Sequence, residues 1–146
     1  MGVLIDNSQS SFKISLPKLK KTAQAILDVL ESPDAELSIL LVDDPQIEEL
    51  NQTYLNRSGP TNVIAFPMRE GPFGNLNPNL LGDVVISVDT ALREADAREV
   101  SAESRMIELL VHGILHLLGY DHEHGGPDAL RMEKKTVEIL NRIAQP

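Results

Sequence analysis

Residues 101–122 read SAESRMIELLVHGILHLLGYDH, and the folding of this stretch decides the architecture around it. Ser101 with Glu103 marks a helix start, a side-chain oxygen for the open amides and an acid in the first turn. Beyond it Met106, Ile107, Leu109, Leu110, Val111, Ile114, Leu115, Leu117 and Leu118 cover nearly every face of a helix. A helix without a polar face must be enclosed, so this one is expected at the centre of the molecule. Gly119 is expected to end it as a C-cap, taking a left-handed conformation that turns the chain back.

Outward from this helix, strands and helices alternate. Val3–Asn7 and Phe12–Ile14 are short strand candidates, and Pro17 opens an amphipathic helix with Leu19, Ala23, Ile26, Leu27 and Leu30 on one side. Glu36–Val42 is an apolar run of strand length. Asp44-Pro45 then supplies an N-cap and a first-turn proline for a helix carrying Ile47, Leu50 and Tyr54. Asn62–Met68 and Gly82–Val88 are rich in β-branched residues and flank a Gly-, Pro- and Asn-rich loop, Glu70–Leu81, which would let them pair antiparallel. Asp89 starts another helix, and Pro127-Asp128 a last amphipathic one through Leu130, Val137, Leu140 and Ile143. The expected class is α+β: a small mixed four-stranded sheet covered by helices, with a central metal-binding helix in a zincin-like layout, forming one domain over residues 1–146.

At 146 residues the chain buries roughly 70% of its unfolded surface and needs no metal merely to hold a core. It has no Cys, which excludes disulfides, thiolate-bound zinc, iron–sulfur clusters and thiol nucleophiles. Residues 1–16 carry Asp6 among Asn, Ser and Gln where a secretory signal needs an apolar block, so a soluble cytoplasmic protein is expected. The formal net charge of -9 argues against broad attraction to nucleic acid or anionic lipid.

Three of the four histidines, His112, His116 and His122, fall within eleven residues. Side chains four apart on a helix differ by about 40° around the axis and roughly 6 Å along it, so His112 and His116 project side by side. A turn at Gly119 would swing His122 toward them; His124 is the competing third ligand. Three neutral imidazoles around a divalent ion leave one position for water, the layout of a catalytic site. Zinc so held lowers the pKa of its water to about 7, which points to hydrolysis. Nickel, cobalt or copper would also suit three imidazoles. The spacing H-x-x-x-H-x-x-G-x-x-H is shared with metzincin peptidases, whose first histidine is followed by the glutamate base; here that position is Gly113. Phosphodiester cleavage suffers less from that absence.

The string HGILHLLGYDH, preceded by PTNVIAFP (Pro60–Pro67) and LGDVVIS (Leu81–Ser87), closely resembles the YbeY family of bacterial metal-dependent endoribonucleases, also described as rRNA maturation factors. The match runs from about Ala35 to the C-terminal helix, with the three motifs in the family's order. The resemblance implies a cytoplasmic endoribonuclease specific for single-stranded RNA, acting in 16S rRNA 3'-end maturation and ribosome quality control. It also implies one zinc ion held by His112, His116 and His122. The chain departs from the family at Leu55, where an arginine for phosphate handling usually stands, and Arg57 is the candidate catalytic replacement. Asp121 is a candidate acceptor orienting His122. Met132 invites comparison with the methionine turn of metzincins but is expected to pack in the core.

RNA is the expected partner, with a ribosomal or ribosome-associated protein supplying specificity, and neither DNA nor membrane. Lys13, Lys18, Lys20 and Lys21 with Arg57 and Arg69 would form a positive path if the two stretches flank the metal cleft. Aromatic residues are too few for an extensive stacking platform. Two alternatives stand beside the nuclease: a metallopeptidase using another base such as Asp121, and a non-enzymatic ribosome-associated module whose ion is structural.

Overall fold

Alternate residues of the apolar runs face opposite ways in a strand, so a run that is apolar throughout needs cover on both sides. The computed structural model describes residues 2–68, 79–120 and 126–144. Its elements in chain order are β1 (Val3–Asn7), α1 (Leu16–Val29), β2 (Glu36–Val42), α2 (Asp44–Leu55), β3 (Val63–Pro67), β4 (Leu80–Ser87), α3 (Val88–Ala97), α4 (Ala102–Leu117) and α5 (Gly126–Ile143). The sheet order is β1-β2-β4-β3, with β1, β2 and β4 parallel. β3 lies antiparallel to β4 from Val63 opposite Ile86 to Pro67 opposite Gly82, as the flanked loop led one to expect. The α+β class and the small mixed four-stranded sheet are therefore what forms.

The two-residue period sorts the core. Leu37, Ile39 and Leu41 of β2 with Val84 and Ile86 of β4 face the large core shared with α1, α4 and α5. Val42 and Val85 face the other way, where α2 closes a smaller core with Ile47 and Ile64. α4 is the central helix: between Arg105 and Leu118 every residue is buried or half-buried. Met132 of α5 is buried in the large core, as expected for a packing residue.

Four expectations need correction. Phe12–Ile14 is not a strand. The buried Gln9 side chain instead brackets Phe12, donating to its carbonyl at 2.9 Å and accepting from its amide at 3.1 Å, so the backbone is satisfied locally and Phe12 and Ile14 still pack on the core. The N-cap of α2 is Asp43, which forms a capping box with Gln46, and not Asp44. α3 starts at Val88 behind an N-cap at Ser87. β4 begins at Leu80, inside the expected loop; most of that loop lies outside the described residues.

Displaced from the cap, Asp44 ties three elements together. Its carboxylate accepts from Ser87 Oγ and Thr90 Oγ1, each at 2.6 Å, and pairs with Arg93 at 2.8 Å. Burial pushes its pKa up, but the hydrogen bonds from Ser87, Thr90 and Arg93 and the Arg93 charge outweigh this and hold it below the ordinary 3.8. A lowered folded-state pKa stabilises the fold above the unfolded value, and that contribution is lost as pH falls through the folded value. Asp44→Asn is expected to lower stability at neutral pH by about 1–3 kcal/mol. Thermal melts from pH 7 to pH 2 should show the gap to wild type narrowing at the acid end; a pH-independent gap would refute the charge-based account.

Candidate functional site

The site is built where α4 crosses β3 and β4. Gly113 lets the helix approach closely: a Cβ there would lie 2.6 Å and 3.0 Å from the two methyls of Val84 and 3.3 Å from one of Val63. The residue on either side of this contact face therefore sits close above the sheet edge. His112 and His116, both half-buried, stand side by side with Nε2 atoms 3.1 Å apart and rings meeting edge-on, centroids 4.6 Å apart. Two ligands at about 2.0–2.1 Å from a tetrahedral zinc ion stand roughly 3.3–3.4 Å apart. The pair thus has the chemistry and the separation of two neighbouring metal ligands.

α4 ends as its sequence indicated. Gly119 has φ +97°, its amide donates to the His116 carbonyl at 3.0 Å, and the Tyr120 amide donates to the Leu115 carbonyl at 3.0 Å. This is a Schellman turn, which reverses the chain at the helix end. His122, His124 and Asp121 lie outside the described residues, and among those described no third His, Asp or Glu joins the pair.

His112, Gly113 and His116 form one wall of an open cleft of about 470 Å³, continued by Gly119 and Tyr120. β3 and the preceding Thr61 and Asn62 form the other wall. The rim comes from the end of α2. Asn56 leaves the helix in a left-handed conformation with φ 53°, and buried Asn51 ties the following turn by donating to the Gly59 carbonyl at 3.0 Å. This turn brings Arg57 to the same cleft that Leu55 lines. Among the described residues no carboxylate lines the cleft and Arg57 is its one formal cation. Among the described residues, the acidity of the chain is therefore kept away from this surface.

The lysine path is not formed as expected. β1 and β3 are opposite edges of the sheet, and α1 packs by β1 while the cleft is at β3. Lys18 pairs with Glu103 at 3.3 Å, in the first turn of α4, whereas the histidines occupy its last turns. Lys13, Lys18, Lys20 and Lys21 do not line the cleft, and Arg69 lies outside the described residues.

Sequence reasoning passed over Asn62 as a site residue. Its side-chain nitrogen donates to both oxygens of Glu94, at 3.3 Å and 3.2 Å. Glu94 is in turn held by buried Arg105, whose Nε donates at 2.9 Å and whose terminal nitrogen pairs at 2.8 Å. The signal available was an amide standing just before a strand in PTNVIAFP; the distant carboxylate that orients it could not be paired with it from spacing.

Comparisons with known proteins follow the same lines. The family model for endoribonuclease YbeY matches residues 4–144. The endoribonuclease YbeY of Syntrophotalea carbinolica is 52% identical over 99% of this chain and 98% of its own length. That of Geobacter metallireducens is 52% identical over 96% of this chain and 94% of its own. The solution structure of TM1509 from Thermotoga maritima superposes with a TM-score of 0.69 at 26% identity, covering 97% of this chain and 88% of that one. With the family pattern running through both walls of the cleft and nearly the whole chain, this protein belongs to the endoribonuclease YbeY family.

Proposed function

We propose that this chain is a zinc-dependent endoribonuclease that cleaves single-stranded RNA, holding one ion through His112, His116 and His122. The observation that carries the reading is the His112–His116 pair, with nitrogens 3.1 Å apart, on the wall of a cleft that no carboxylate lines among the described residues, in a chain of this family. When bound, the ion supplies Lewis-acid charge for the scissile phosphate and activates water. The chain's own residues do the rest. His112 and His116 are preset one turn apart by α4, so little ordering is needed to form the centre. Arg57 on the rim places a guanidinium where it can clamp phosphate oxygens and oppose charge in the transition state. The half-buried strand wall at Val63 and Ala65 limits water on the far side of the backbone.

Gly113 speaks against the peptidase alternative, because the position that carries the base in metzincins is pressed against Val84 with no room for a side chain. The proposed role is in 16S rRNA 3'-end maturation and ribosome quality control in the cytoplasm. No described helix is long and apolar enough to cross a membrane. With a single cationic side chain in the described cleft, affinity for RNA is expected to be modest, and a ribosomal or ribosome-associated protein is proposed to deliver the substrate.

Metal analysis of the purified protein and an assay on single-stranded rRNA, with and without chelator, test this together. About one zinc per chain and chelator-sensitive cleavage are expected. Metal and ribosome binding without cleavage would select the structural module instead. Arg57→Ala is expected to retain the metal and lose roughly 10²-fold in cleavage; unchanged rates would remove Arg57 from the mechanism.

A further inference from the structure

A buried arginine and a glutamate behind the cleft wall do more than close the junction of α3 and α4. Arg105 is 8% exposed and directs its guanidinium to Glu94, whose carboxylate faces Asn62 on its other side. A carboxylate paired with an arginine accepts hydrogen bonds, so the Asn62 amide can present only its nitrogen to it. Both oxygens of Glu94 receive that nitrogen, and the Asn62 backbone carbonyl is pinned by the Ser87 amide at 2.9 Å. Among the described residues, the Asn62 side chain makes hydrogen bonds only through its nitrogen, and Asn62 lines the cleft. Its carbonyl oxygen is consequently held as an acceptor on a residue that lines the wall opposite the histidines.

We propose that Asn62 is a specificity-determining residue whose Oδ1 accepts a hydrogen bond from the 2'-hydroxyl of a nucleotide seated in the cleft. This rests on the ribonuclease reading above and names the group that the cleft recognises. A single acceptor cannot make the bidentate contact by which a base edge is identified. A 2'-hydroxyl is a donor that every RNA nucleotide carries and DNA lacks, so one rigid acceptor suffices to tell the two apart. The Arg105–Glu94 pair removes the amide's freedom before substrate arrives, so the contact requires no further ordering. Asn62 is too weakly basic to take the proton, and its role is recognition, not proton transfer.

The test uses the full-length chain and a short unstructured RNA, with a panel of strands in which one ribose at a time is 2'-deoxy. Binding is measured by fluorescence anisotropy at 4 °C, over a period in which a gel shows the strand uncut. Wild type is expected to bind the strand deoxy at one position about threefold to tenfold more weakly than RNA. Asn62→Ala should bind RNA and that strand alike, at the weaker level. Glu94→Gln, which lets the amide face either way, should reduce the discrimination toward about twofold. If Glu94→Gln melts far below wild type, Asn62→Ala decides alone. Discrimination retained in Asn62→Ala, absent from wild type at every position, or following a base change instead of the ribose, would overturn the proposal. Failure to bind or cleave RNA at all would overturn the functional reading itself, and this inference with it.

Discussion

His116→Ala should lose bound zinc and RNA cleavage together while keeping its fold. One imidazole of the proposed three is removed, and the remaining pair could no longer hold an ion in a three-ligand site with one open position. Since the ion's charge would stabilise the developing phosphate charge, the loss in cleavage is expected to be at least about 10³-fold. His116 is half-buried on the cleft wall and its neighbours Leu115 and Leu117 carry the core packing, so the circular dichroism spectrum should stay native. The melting temperature should equal that of chelated wild type within a few degrees. Native cleavage in a metal-free variant would sink the proposed mechanism.

The second large effect is structural. Gly113→Glu installs the residue that metzincins carry after their first histidine, and it should abolish stable folding without creating a peptidase. Its Cβ would fall 2.6 Å from one methyl of Val84, on an inner strand that is itself fully buried. Neither partner can move away, because Val84 is held on both sides by the ladders of β2 and β3. The carboxylate would also enter an apolar contact without a partner. Together these are expected to exceed about 4 kcal/mol, enough to deplete soluble protein. Gly113→Ala separates the terms: overpacking of about 1–3 kcal/mol is partly offset by roughly 1 kcal/mol of helix propensity. Adding Val84→Ala to it should recover part of the loss in a double-mutant cycle. A Gly113→Glu protein that melts like wild type and hydrolyses polypeptide would restore the peptidase alternative.

What was legible in the sequence was what local periodicity encodes. The all-round apolar pattern from Met106 to Leu118 announced a central helix, and the four apolar runs that became strands are recognisable to within two residues at each end. Two of the errors share one cause. Phe12–Ile14 has strand composition, but Gln9, within the same short segment, satisfies its backbone; Asp44 looks like a cap, but its neighbour Asp43 takes that role and releases it to Ser87, Thr90 and Arg93. In each case a side chain with two possible partners chose the one the pattern did not weigh. The lysine path failed for a larger-scale reason: proximity of two charged stretches depends on strand order, and β1 and β3 ended at opposite edges.

The sequence by itself determined the pairing of His112 with His116, because helical pitch alone sets residues four apart side by side. It determined too the reversal after Leu118, because glycine alone takes φ +97° without strain. Only the tertiary structure decided which surfaces meet that pair: the close approach at Gly113, the arrival of Arg57 on the rim, and the Arg105–Glu94–Asn62 relay behind the opposite wall. These contacts join residues far apart in the chain, and their geometry follows from sheet order and core packing, which no window of local sequence contains.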